Sequence, residues 1–161
     1  MKALWLLLTL AVFGLDALVK SAVSSNMRLG ETFALVPHVL SITYVENTGV
    51  SFSMLGDNAA AMAVITWLTP VLCAVLIVLL IRNKYGSRLF DASLALILAG
   101  AIGNAVDRML HGSVVDMFEF AFVRFAIFNV ADVALTCGCA MLAIYAVLDS
   151  RRMSGANRNA G

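Results

Sequence analysis

Asp116 and Asp132 close the short segments Gly112-Ser113-Val114-Val115-Asp116 and Phe128-Asn129-Val130-Ala131-Asp132, in an otherwise apolar neighbourhood. Two acids sharing a partly desolvated site cannot both ionise cheaply, so their titrations couple and one keeps its proton over a wide pH range. The ionised member can take a proton from a water attacking a peptide carbonyl. The protonated member can polarise that carbonyl and pass a proton to the departing amine, a hydrolysis that needs no metal and no covalent intermediate. Asp132 falls in a first helical turn, where the helix dipole favours the charged form, and Asn129 stands in the N-cap position before it. Upstream, Gly103-Asn104-Ala105-Val106-Asp107-Arg108 adds further polar groups. The Arg108 fork could hold a carboxylate through two parallel hydrogen bonds, or snorkel to an interface. Asp16 and Lys20 stand four apart with the acid first, the favourable order for a pair on one helix face; a structural ion pair outweighs direct chemistry there.

The other reactive side chains suggest less. His38 and His111 lack a patterned acid, Ser or Cys partner, and no His-Glu-x-x-His spacing occurs. Cys73, Cys137 and Cys139 are odd in number, lie in apolar runs and lack metal-ligand spacing, so they read as packing residues. Neither a metal nor a cofactor is expected.

The elements positioning these groups follow from composition. Of 161 residues, 61% are hydrophobic and 13% charged, with a net charge of +1. That balance suits lipid rather than water and gives no reason to expect nucleic acid. Four windows, about 3–23, 60–81, 89–110 and 130–148, are long and apolar enough to cross a bilayer. One membrane domain, a four-helix bundle, follows. Lys2 ahead of an apolar run resembles a secretory signal, but Asp16, Lys20 and the lack of a small-x-small cleavage pattern make this a retained span. Lys2, Arg82, Lys84, Arg88, Arg151, Arg152 and Arg158 flank one side; the connections on the other hold only Arg28 and Arg124. The positive-inside rule then puts both termini in the cytoplasm and the two long connections outside.

The outer insert, about 24–58, contains a Val-, Ile-, Thr-, Tyr- and Phe-rich stretch from Phe33 to Phe52 that predicts short strands. Residues 113–128 are too apolar for a solvated loop and too interrupted by charge for a span, which predicts a segment lying at the membrane surface. The cytoplasmic tail, 149–161, becomes polar after Arg151 and is expected to be disordered. Spans three and four run antiparallel, so Asp116 and Asp132 converge at one depth from opposite chain directions. A proton relay is the competing reading, because intramembrane acids also mark ion paths, but a relay should spread polar groups over both halves of the membrane. A purely structural subunit gives no reason for costly acids to converge.

The whole pattern resembles lipoprotein signal peptidase, the bacterial signal peptidase II. Five blocks carry the likeness: Asp16-Ala17-Leu18-Val19-Lys20, Asn47-Thr48-Gly49-Val50-Ser51-Phe52, Gly103 to Arg108, Gly112 to Asp116, and Phe128 to Asp132 followed by Leu135. The resemblance implies an aspartic intramembrane peptidase of the bacterial inner membrane that cuts prolipoproteins before a diacylglyceryl-modified cysteine. By motif position Asp116 and Asp132 would be the catalytic dyad. Asn104 and Arg108 would support substrate or inhibitor binding, Asn129 would brace the dyad, and Asn47 would belong to the outer loop that shapes the site. Gly49, Asp107 and Ala131 would be supporting positions, and Asp16 with Lys20 mainly structural. The resemblance also implies a small extramembrane sheet on the outer face, membrane lipids as surroundings and inhibition by globomycin-type cyclic peptides. Ala17 stands where such proteins usually have Gln, and Met117 where they usually have Phe.

The signal peptide of such a substrate is itself an apolar helix. It must unwind locally to expose a scissile carbonyl, and strand-forming residues beside the site could stabilise the extended stretch. Phe33 to Phe52 is therefore expected to contact substrate from above.

Overall fold

A chain surrounded by lipid must satisfy its backbone hydrogen bonds internally, and the apolar segments do so as helices. The computed structural model describes residues 2–49, 58–82 and 87–158, with side chains at all of these except 59 and 153–158. The elements run α1 (Lys2–Asn26), β1 (Thr32–Val36), β2 (Leu40–Asn47), α2 (Ala59–Arg82), α3 (Arg88–His111), β3 (Val114–Phe120) and α4 (Val130–Arg158). Among the described residues, four helices are long and apolar enough to span a membrane.

The helix α3 runs through the middle of the bundle. Inside the protein lies 56% of its apolar window, against 11% for α2, so α2 presents most of its surface to lipid. Leu80, Leu94 and Leu98 form the buried α2–α3 seam, with Cys73 beside them. Between α3 and α4 the backbones approach closely because glycine leaves room. A Cβ at Gly100 would strike the Ala131 carbonyl, and one at Gly138 would sit 2.9 Å from the Ser93 carbonyl.

The sheet is antiparallel in the order β1-β2-β3, and so joins the α1–α2 connection to the α3–α4 connection. It is tied across its strands by Thr32 Oγ1 donating to Thr43 Oγ1, and by Thr43 Oγ1 donating to Glu119. Its underside rests on α1 through Val23, Ile42, Tyr44 and Met117. Met117, in place of the expected Phe, is fully buried there.

Several expectations change. Part of the segment 113–128 forms the strand β3, which the sequence reading did not include; Val114-Val115-Asp116-Met117-Phe118-Glu119-Phe120 is rich in β-branched and aromatic residues and finds in β2 a partner with an open edge. At its end, Phe120, Phe125 and Phe128 meet in tilted and edge-on ring contacts at centroid distances of 5.2 to 6.1 Å. The residues after Arg151 continue α4 to Arg158 instead of leaving it, as nothing in Arg151-Arg152-Met153-Ser154 breaks a helix already propagating. The α1 helix extends to Asn26, into the predicted insert. Cys137 and Cys139 are exposed on α4, so only Cys73 is a packing residue. Residues 50–52 of the strand-rich stretch, and Lys84, lie outside the described residues.

Candidate active site

Asp116 is delivered by a sharp stop. Gly112 ends α3 in the left-handed conformation, φ 76°, and its N–H caps the Arg108 carbonyl at 3.0 Å. That turn lets β3 start two residues later, beside the helix it has just left. Asp132 is delivered by a reciprocal cap: its backbone N–H donates to Asn129 Oδ1 at 2.9 Å, and its own Oδ2 accepts the Asn129 backbone N–H at 3.1 Å. This is the geometry of a capping box with Asn and Asp as its members.

An irregularity in β2 matters as much. Ile42 pairs with Phe118, but Val45 pairs with Asp116, so β2 carries one extra residue between them. One extra residue inverts the faces on which later side chains fall. Asn47 thereby shares a face with Asp116, its diagonal neighbour, and donates from Nδ2 to Asp116 Oδ2 at 2.9 Å.

The remaining polar groups form one connected network. Asn129 Nδ2 donates to Asp116 Oδ1 at 2.7 Å and to Asn104 Oδ1 at 3.1 Å. Asn104 Nδ2 donates to Asp132 Oδ1 at 2.8 Å. Every carboxylate oxygen of Asp116 and Asp132 thus accepts a hydrogen bond from a neutral donor. Burial is the main reason that the Asp116 carboxyl is pushed up to about 6; the nearby Asp132 charge adds to the rise, while the amides of Asn47 and Asn129 and the Lys20 charge oppose it.

Lys20 lies at the back of this network. Its three ammonium protons have three partners, Asp16 Oδ2 at 2.8 Å, Asp107 Oδ2 at 2.9 Å and Asn104 Oδ1 at 3.1 Å. Asp16 Oδ1 in turn accepts the Ala131 N–H at 2.8 Å, and Asp107 Oδ2 accepts the Val115 N–H at 3.4 Å. The Asp16–Lys20 pair read from spacing is therefore present, but it also reaches Asn104 and clamps the backbone beside each of Asp116 and Asp132.

Arg108 hydrogen-bonds carbonyls: it donates to Gly49 O at 2.9 Å and to Asn104 O at 3.3 Å. Gly49 also donates its N–H to Asn47 Oδ1 at 2.9 Å, so Arg108 and Asn47 together hold the end of β2 against α3. Among the described residues, Arg108 Nε is buried without a partner.

A cavity of about 360 Å³ opens onto Asp116, lined by Val45, Asn47, Arg124, Phe125, Ala126 and Ile127 as well. The last four were absent from the sequence-derived site. The aromatic and cationic interleaving of 122–125 was a signal, but only the folded chain brings residues 124–127 into one cavity with Asp116. His38 sits at the β1–β2 turn with φ 62°, and His111 ends α3; neither joins the network.

A family model described as signal peptidase (SPase) II matches residues 8–148. The chain belongs to the signal peptidase II family. Relatives named lipoprotein signal peptidase include that of Streptococcus pneumoniae, 42% identical over 89% of this chain and 92% of the relative, and that of Enterococcus faecalis, 40% identical over 91% and 89%. Two solved structures described as bacterial membrane enzymes, both determined by the in meso method, superpose with TM-scores of 0.85 and 0.80. Each is 29% identical to this signal peptidase II chain, and the former covers 92% of it and 90% of its own length. The protein is thus a multi-pass membrane peptidase, built as four apolar helices with a small antiparallel sheet.

Proposed function

We propose that this peptidase is an aspartic endopeptidase that removes signal peptides from prolipoproteins, hydrolysing the bond before a diacylglyceryl-modified cysteine. The observation that carries the proposal is the convergence of Asp116, from β3, and Asp132, from α4, on one network of Asn104 and Asn129 amides. A water between the carboxylates gives its proton to the ionised member and its oxygen to the scissile carbonyl carbon. The protonated member hydrogen-bonds the carbonyl oxygen as it gains charge; collapse of the tetrahedral species transfers a proton to the departing amine. Burial of Asp116 favours it as the acid, which leaves the role of base to its partner in the dyad.

Several features support a lipidated, membrane-borne substrate. The cavity on Asp116 combines apolar walls with polar Asn47, as an unwound signal-peptide segment requires. The sheet, including the described part of the 33–52 stretch, sits on the same end of the bundle as the two acids. In the orientation the flanking Lys and Arg residues favour, that end is the outer face of the bacterial inner membrane and both termini are cytoplasmic. A globomycin-type cyclic peptide spanning the same cavity would compete with substrate.

Cleavage of a diacylglyceryl-modified prolipoprotein peptide in detergent, by wild type and by Asp116→Asn and Asp132→Asn, tests the proposal. Wild type should cut before the modified cysteine and both folded variants should be inactive. Near-normal activity in either variant would sink the dyad assignment, and no cleavage by folded wild type would sink the substrate assignment.

A further inference from the structure

Lys20 is a charged donor to an Asn104 side chain that itself holds Asp132, which gives it a route to the reacting groups. Lys20 and Asn129 both aim hydrogens at Asn104 Oδ1, each at 3.1 Å. A carboxamide with two donors on its oxygen cannot turn over without bringing its NH2 against both of them. Its nitrogen is thereby committed to Asp132 Oδ1, at 2.8 Å. Asn129 contributes a neutral amide to this arrangement; Lys20 contributes a full charge in a site excluded from water, where its 4% exposure leaves its field little screened. A cation on the carbonyl oxygen also polarises the amide, which strengthens the N–H it offers on the other side.

We propose that Lys20 is a positioning residue for hydrolysis: through Asn104 Oδ1 it fixes and polarises the amide that holds Asp132, in addition to pairing with Asp16 and Asp107. This rests on the reading of Asp132 as a member of the dyad, and deepens it. The role requires one N–H on each of three acceptors, which a tetrahedral ammonium at the end of a flexible stem supplies. A guanidinium in its place keeps the charge that Asp16 and Asp107 need, but its planar fork cannot match three acceptors arranged around a point. Other charges act on the ammonium, namely Asp16 from α1, Asp107 from α3 and Asp116 from β3; among the described residues, the hydrogen-bonded route from Lys20 to Asp132 runs through Asn104.

The experiment is a double-mutant cycle on kcat and KM for the lipidated peptide, with Lys20→Arg, Lys20→Met, Asn104→Ala and the combinations, and with thermal unfolding of each. Lys20→Arg should fold and lose kcat by roughly tenfold or more with KM near wild type, but cost nothing further when introduced into Asn104→Ala. Lys20→Met leaves two buried acids without their cation, so its melting temperature should fall as well; where it folds it should show the same non-additivity. Wild-type kcat in Lys20→Arg, losses that multiply with those of Asn104→Ala, or failure of both Lys20 variants to fold would each overturn the inference and leave Lys20 as a folding element. Asp132→Asn is measured alongside. Activity retained there removes the dyad reading itself, whereas an inactive Asp132→Asn with an independent Lys20 effect removes only the role of Lys20.

Discussion

Asn129 and Asp132 exchange hydrogen bonds across the first turn of α4, backbone to side chain in both directions, so the cap of the helix and the seat of a carboxylate are the same four atoms. Stability and chemistry are thereby tied together. Replacing Asn129 by Ala removes the cap, at a cost of about 1 kcal/mol, and takes from Asp116 its 2.7 Å donor. The expected result is a modest drop in melting temperature with a fall in kcat on the order of 10²-fold, the scale of losing a preorganised donor in an active site. Thermal unfolding and cleavage assays on the same preparation separate the two.

The pH dependence should follow Asp116. Its carboxyl is pushed up to about 6, chiefly by burial, so it holds a proton below that pH and loses it above. With Asp116 as the acid, kcat/KM should decline on the alkaline side with a midpoint near 6 in the free enzyme. The Asn47 amide stabilises the ionised form, so Asn47→Ala should move that limb to higher pH; a limb that moves down would contradict the assignment.

The same raised value has a consequence for folding. In the unfolded chain the group returns to about 3.8, so the folded state holds this proton more tightly and wild type loses stability as pH rises from about 4 to 6. Asn at this position cannot ionise. The melting temperature of Asp116→Asn relative to wild type should therefore rise across that window and level off above it, which a set of melts at pH 4, 5, 6, 7 and 8 would reveal.

How much of this was legible beforehand varied from residue to residue. The four helices were, because an apolar run of that length has one stable solution in lipid. Asp116, Asp132, Asn104 and Asn129 were too, since caps and costly charges leave local marks. The strand at 114–120 was not. Its apolar, charge-interrupted composition does not by itself mark a strand, and the partner that makes it one, β2, lies some 70 residues away in sequence. The extra residue in β2 that turns Asn47 onto Asp116 has no marker of its own. Lys20 was visible as half of an ion pair, but its third hydrogen bond spans 84 residues, beyond the reach of any local spacing.

Close packing at the α3–α4 seam should be unforgiving. A Cβ on Gly103 would lie 2.6 Å from Asp16 Oδ2 and 3.2 Å from the Ala131 side chain, whereas one on Gly14 would meet nothing within 4 Å. Gly103→Ala should destabilise by about 1–3 kcal/mol and depress activity through the displaced Asp16. Gly14→Ala should leave both unchanged or slightly raise stability, since alanine is the better helix former. Equal effects from the two would mean that the seam is looser than it looks.

The cavity on Asp116 can be filled from its wall. Ile127→Trp adds bulk at the lining without touching the polar network, so the protein should still fold while KM for the lipidated peptide rises roughly tenfold or more. Unaltered KM would mean that substrate approaches Asp116 from another side.

The bond between Asp16 and Ala131 joins positions 115 residues apart, from the first helix to the last. During synthesis the acid enters the membrane long before the amide that will receive it has been made. Until α4 follows, Asp16 lacks that partner and Asp132 does not yet exist. The arrival of the final helix therefore gives Asp16 its backbone partner and brings Asp132 to Asn104 and Asn129 in one step.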